Sequence, residues 1–262
     1  MKRLGIAFGG SGAEGMACAA YVKALDDAGI KPDVVSGTGI GGVIAAMYAA
    51  GMSAKDIIDF ANEIEFPGMK RPINIYRMKD ERRGILDDMG LEEYFKMTVP
   101  ILRFDRLYFP LHIVAADMDT GAEVIFSEGD VGKAVRAGAA IPGIFSPYEA
   151  EGLRYIDGSC VNPIPFDIIR GECDILAAIG PETDEERQNA QANVFNAIMA
   201  AYNATRKSLA IEKYKSCKVD FIERVLIEGI NQYDFARYED IIASVEQNAQ
   251  NFAAEIKKAL EE

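Results

Sequence analysis

The five residues Gly37-Thr38-Gly39-Ile40-Gly41 constrain this chain more than any other stretch. They follow an apolar run at Val34-Val35 and lead into Gly42-Val43-Ile44-Ala45-Ala46-Met47-Tyr48, which reads as helix. A strand that turns sharply into a helix needs residues without a Cβ at the bend, and glycine fills that need. An earlier junction has the same form: Leu4–Phe8 breaks at Gly9-Gly10-Ser11-Gly12 and resumes as helix over 13–27. Alternating strands and helices predict an α/β domain around a mainly parallel sheet.

The rest of the chain continues this pattern. Helix is expected over 42–50 and over 53–63, with Ser53 and Asp56 as a capping pair. Residues 64–84 carry Pro67, Gly68 and Pro72 and read as an irregular excursion, a candidate lid. Two hairpins are expected, one around Asp119-Thr120-Gly121 and one around Glu151-Gly152. A buried strand at 175–179, helix over 185–214, a strand at 219–222 and a closing helix over 238–260 complete the reading.

With 262 residues the chain fits one large domain over 1–262. A net charge of -13 argues against nucleic acid and anionic membranes, leaving neutral lipid surfaces open to peripheral contact. The four cysteines are scattered without companion histidines, which predicts neither zinc nor disulfides and a reducing, cytoplasmic setting. The first apolar run stops at Gly9 and reads as a strand rather than a signal peptide. No apolar stretch is long enough to span a bilayer.

Chemistry concentrates at the two glycine turns. The bend has the frame of a nucleophile elbow, G-x-S-x-G, with Gly39 where the attacking serine belongs. The loop from Gly10 to Gly15 matches G-x-G-x-x-G, a dinucleotide fingerprint, but Asp33 stands at the wrong end of the second strand to meet a ribose. The same loop suits an oxyanion hole, with backbone amides of Gly10, Ser11 and Gly12 facing developing charge. Asp157, at a strand end before Gly158, could orient or deprotonate a nucleophile, or simply make an Asp–Gly turn. The single histidine, His112, lies in an apolar strand and reads as structural, so a Ser-His-Asp triad is excluded. Thr38 and Ser36 precede the apex and are expected to point into the sheet flanks.

In this order, 10–15, 37–41 and Asp157-Gly158-Ser159 resemble the patatin-like phospholipases, which hydrolyse lipid acyl esters with a Ser-Asp dyad. Ala115-Ala116-Asp117-Met118-Asp119-Thr120-Gly121 and the stretch from Val135 to Phe145 look similar to further family segments. The resemblance covers about residues 3–180 and leaves the last third uninformative. It implies a three-layer α/β/α fold, Asp157 as the catalytic Asp of the dyad, an acyl lipid or ester ligand, and no metal or organic cofactor.

The departures are specific. Gly39 replaces the nucleophile, Glu14 replaces the basic residue of the oxyanion loop, Ser11 replaces its middle glycine, and Ser159 ends the acid motif. Loss of the serine alone removes on the order of a millionfold in a well-studied serine hydrolase. An anion in place of a cation near the oxyanion adds roughly 4 kcal/mol to the barrier. The expectation is a lipid-binding relative without hydrolysis. The alternatives are an active acyl hydrolase whose serine at 39 was replaced, and a nucleotide-binding protein using 10–15. Glu14 favours natural divergence, because replacement of one serine would leave it unexplained.

Overall fold

A computed structural model of the protein describes residues 2–63, 89–143, 145–183, 194–230, 232 and 234–262. The excursion expected at 64–84 lies outside the described residues, as does the start of the helix expected from 185.

Alternation along the first strand, β1 (Leu4–Phe8), sets the layers, since successive side chains in a strand face opposite ways. Leu4, Ile6 and Phe8 enter the larger core, and Ala7 enters a second core on the other face. β1 lies parallel to β2 (Val34–Gly37), and β2 lies parallel to β3 (Leu111–Asp117). β4 (Glu123–Phe126) pairs antiparallel with β3. The second hairpin, β5 (Tyr148–Ala150) and β6 (Leu153–Asp157), also joins β3 antiparallel through β6. β7 (Ile175–Ile179) flanks β1 in parallel; a short β8 (Glu182–Thr183) follows, then β9 (Phe221–Glu223) beside β7 and β10 (Leu226–Ile227) beside β8. The main sheet runs β5-β6-β3-β2-β1-β7-β9, with β4 branching from β3. Both expected hairpins and the mainly parallel centre are present.

Onto the larger core pack α1 (Cys18–Asp27), α2 (Gly39–Ala49), α3 (Ala54–Glu63), α4 (Met89–Thr98) and α5 (Val131–Gly138). The second core is covered by α6 (Phe166–Ile169) and the end of α7 (Val194–Ser216), where Tyr214 stacks on Phe166 with ring centres 4.7 Å apart. α8 (Tyr238–Glu261) returns to the first face beside α1, and the result is a three-layer α/β/α arrangement.

Local chemistry explains the element ends. Ser53 and Asp56 cap α3 reciprocally, each side chain accepting the other's backbone N–H at 3.2 Å. Two boundaries differ from expectation. The helix expected over 13–27 opens as a 3-10 turn, Ala13–Ala17, because Gly15 N–H closes onto Gly12 O at 3.0 Å. α2 begins at Gly39 rather than 42, since Gly42 N–H already reaches Thr38 O at 2.9 Å and makes the bend the first helical turn.

α1 and α8 are joined by Tyr21, whose ring meets Phe252 edge-on at 5.5 Å, both residues being buried. Phe252→Ala leaves a cavity between the two helices and is expected to destabilise the protein by about 3–5 kcal/mol, read as a lower urea midpoint at unchanged slope.

Candidate active site

Sheet topology alone brings three distant segments to one edge. Parallel pairing sets Phe8 opposite Gly37 and Gly37 opposite Ile113, so β1 and β2 release their loops side by side. β6 runs the other way and stops with Asp157 opposite Ala115, two residues beyond Ile113 on β3. The carboxylate therefore arrives level with the bend.

The two glycine loops are bonded backbone to backbone. Thr38 N–H donates to Phe8 O at 3.2 Å, and Gly41 N–H donates to Gly10 O at 3.1 Å. Gly39 has φ +58, the left-handed region that favours glycine. A Cβ built there would lie 2.6 Å from Ser11 Cα and 2.7 Å from Gly10 O. The space into which a side chain would project is thus filled by the neighbouring loop's main chain.

Gly158 joins the acid turn to the bend, since a Cβ on it would come within 2.5 Å of Thr38 Oγ1. Ser36 does point into the sheet flank, donating its hydroxyl to Pro165 O at 2.8 Å. Thr38 does not: its hydroxyl lies against the acid turn, because the close packing of Gly158 draws that turn over it. The dinucleotide reading also meets a structural obstacle, as Asp33 accepts Leu4 N–H at 2.7 Å and is spent on joining β1 to its neighbour.

Glu14 takes a role that the sequence did not disclose. Its Oε1 accepts the Gly12 N–H at 3.1 Å and meets Arg206 Nη2 at 3.4 Å. One of the three amides expected to face an oxyanion is therefore occupied by a carboxylate of the protein itself. The anion anticipated at the loop is not bare, because Arg206 on α7 neutralises it. Tyr202, one turn earlier on α7, donates its hydroxyl to Ser11 Oγ at 3.4 Å, and its ring lies 5.3 Å from the Arg206 guanidinium carbon. Gln232 closes the loop from the remaining side, its carbonyl accepting Ala13 N–H at 2.9 Å. Tyr202, Arg206 and Gln232 all come from the uninformative last third. The only trace in sequence is a Tyr–Arg pair four apart on a helical stretch, a common pattern with no chemical specificity.

Asp157 is fully buried, and its Oδ1 accepts Ser159 N–H at 2.7 Å. Burial raises its pKa from 3.8 to about 6, against the lowering effects of Ser159 N–H and the Arg206 charge. Cys160 offers no substitute nucleophile, since burial and the Asp157 charge push its thiol up to about 12. His112 lies away from this edge, at the amino end of β3. There its Nε2 is 3.1 Å from Glu172 Oε1, beside a cavity of about 530 Å³ that Arg103, Tyr108 and Glu128 also line. Among the described residues, no group of three or more potential metal ligands is found.

A buried carboxyl with a raised pKa sets a pH dependence of defined sign. The folded state keeps the Asp157 proton to higher pH than the unfolded chain, so stability falls from about pH 4 to about pH 6 and then levels. Asp157→Asn keeps the acceptor for Ser159 N–H and removes the titration. It is expected to be more stable than the parent at pH 7, by on the order of 3 kcal/mol, with the difference vanishing near pH 4 in urea titrations.

The patatin-like phospholipase family model matches residues 6–170. Among curated sequences, the chain is similar to an uncharacterized NTE family protein of Mycobacterium bovis, with 27% identity over 210 residues, covering 77% of this chain and 57% of the relative. A second uncharacterized NTE family protein, from Mycobacterium tuberculosis, is 32% identical over 175 residues, 66% of this chain and 29% of the relative. Patatin-like phospholipase domain-containing protein 6 of Mus musculus is 27% identical over 173 residues, 64% of this chain and 12% of the relative. The chain thus spans little more than half the length of the first of these relatives, and less of the others. Among solved structures, VipD from Legionella pneumophila superimposes with TM-score 0.51 at 14% identity, covering 96% of this chain and 67% of that one, a likeness of fold. With the family model spanning well over half of its length and the loops converging as described, the chain belongs to the patatin-like phospholipase family.

Proposed function

We propose that this protein is a non-hydrolysing member of its family that binds an acyl lipid or ester through the edge formed by Gly10, Ser11, Gly12, Gly39 and Asp157. The observation that carries the reading is the contact at Gly39, where Ser11 Cα stands 2.6 Å from the position of a Cβ. A nucleophile needs space for its side chain, and here that space does not exist without moving the Gly10–Ser11 backbone. Glu14 adds to this by holding the Gly12 N–H that a developing oxyanion would need. Asp157 remains, buried beside the bend, with Oδ2 free of a hydrogen-bond partner among the described residues and open to meet a lipid's carbonyl end. The chain's charge of -13 favours zwitterionic or neutral lipid over anionic surfaces. Among the described residues, no helix is long and apolar enough to cross a membrane, which is compatible with peripheral contact.

The rival reading is an acyl hydrolase in which serine once stood at 39, and one variant separates the two. Gly39→Ser is expected to lose about 1–3 kcal/mol of stability from strain and crowding, and to show neither a burst nor turnover on short-chain p-nitrophenyl esters. Gly39→Ala should destabilise similarly, which assigns the loss to the Cβ. Steady hydrolysis by Gly39→Ser that disappears with Asp157→Asn would instead establish the enzyme reading. Hydrolysis by the parent protein that requires Asp157 would overturn the proposal outright.

A further inference from the structure

Among the described residues, five buried polar atoms around the acid turn have no hydrogen-bond partner: Asp157 Oδ2, Ser159 Oγ, Thr38 Oγ1, Arg206 Nε and Glu14 Oε2. Asp157, Ser159 and Thr38 are wholly buried, and Glu14 is 2% exposed. Buried polar groups are paired in the great majority of cases, so a concentration of unpaired ones marks a place built for something else. The atoms belong together. Thr38 Oγ1 lies against Gly158, Ser159 is adjacent to the Asp157 carboxylate, and Arg206 and Glu14 both act electrostatically on Asp157.

The chemistry of the set is uneven in a useful way. Two hydroxyls and a guanidinium N–H can donate, and two carboxylate oxygens can accept. Glu14 is already neutralised by Arg206 at 3.4 Å, whereas Asp157 Oδ1 is held by Ser159 N–H and Oδ2 alone is open to exchange a proton. An ester offers only acceptors and would leave Asp157 Oδ2 unmatched whenever that carboxyl is ionised. A carboxylic acid brings acceptors for the three donors and a proton to share with Oδ2.

We propose that this cluster is a head-group site for a free carboxylic acid, held by one proton shared between the ligand's carboxyl and Asp157 Oδ2 and by hydrogen bonds from Thr38, Ser159 and Arg206. The proposal rests on the acyl-binding reading above and specifies the acid, rather than the ester, as the preferred ligand. Two carboxyls close together hold a single proton between them, as the like-charge rule requires. The titratable groups facing Asp157 are Glu14 from the 3-10 turn, Cys160 from the acid turn, and Tyr202 and Arg206 from α7. Arg136 on α5 turns away from it, toward Ser146 O and the Tyr148 ring. Burial keeps Tyr202 and Cys160 neutral throughout the working range, so the shared proton is the one that titrates.

α7 packs over the acid turn, and its contacts differ along its length. Its C-terminal half is fastened by Lys213 to Asp167 at 2.6 Å and by the Tyr214–Phe166 stack. Its contacts over the cluster, Tyr202 to Ser11 and Arg206 to Glu14, are each 3.4 Å long, well beyond the usual optimum near ~2.9 Å. Their loss is the smaller cost, and the ligand's own hydrogen bonds replace them.

Calorimetry with decanoate and methyl decanoate tests the assignment. Above the Asp157 pKa of about 6, binding of decanoate takes up one proton, so its affinity should fall about tenfold per pH unit. From about pH 6.5 to pH 8.5 the expected loss is on the order of a hundredfold, while methyl decanoate shows no such slope. Asp157→Asn carries an amide donor that does not titrate and should bind decanoate with affinity flat across this range, its fold checked by circular dichroism. A parent protein that binds methyl decanoate but not decanoate, or binds decanoate without proton uptake, overturns the acid assignment and leaves the acyl-binding reading standing. An Asp157→Asn variant that keeps the slope overturns it as well. If neither ligand binds at any pH, both readings fall together.

Discussion

The bond from Gly41 N–H to Gly10 O, 3.1 Å long, is the contact on which the rest of the site depends. It draws two glycine loops together along adjacent parallel strands, and that approach is possible because neither loop carries a side chain at the junction. A Cβ at Gly41 would sit 2.2 Å from Gly9 O, so even the smallest addition would part them. The same approach fills the space above Gly39. Closure of the loops and the lack of room for a side chain at Gly39 are therefore two aspects of one packing arrangement.

Charge in the site is arranged around this closed frame. Arg206 reaches in from α7, where burial opposes its charge and the carboxylates of Glu14 and Asp157 favour it. In the resemblance drawn from sequence, the cation belongs on the glycine loop itself; here it stands on a helix almost 200 residues later. Glu14 can then occupy the loop without the repulsion that an isolated anion would cause, and it anchors Gly12 at the same time. Removing one member of such a buried pair typically costs 3–5 kcal/mol, so the exchange of positions is stable only as a pair. The last third of the chain consequently helps to hold the glycine loop, although no motif announces it.

Legibility followed the range of the interactions. The strands at Leu4–Phe8 and Ile175–Ile179, both hairpins and the Ser53–Asp56 cap were readable because each rests on neighbours a few residues apart. The start of α2 was misplaced by three residues, since a glycine bend and a first helical turn have the same composition. The position of Thr38 at the strand end predicts a place on the sheet flank, whereas Gly158, following a strand two places away, decides its surroundings. In sequence Glu14 stands as a lone anion, because its partner Arg206 lies outside any local window.

What the amino-acid order determined alone was the frame: glycines where strand must become helix, an acid before Gly158, and no hydroxyl at 39. These are local requirements of backbone geometry and residue chemistry, and they hold wherever the segments end up. Tertiary structure decided the rest: that the Gly10–Ser11 backbone occupies the space above Gly39, that Arg206 offsets Glu14, and that Asp157 is buried deeply enough to hold its proton up to about pH 6. Each of those outcomes depends on distances between segments far apart in the chain, and such distances exist only once the sheet has assembled.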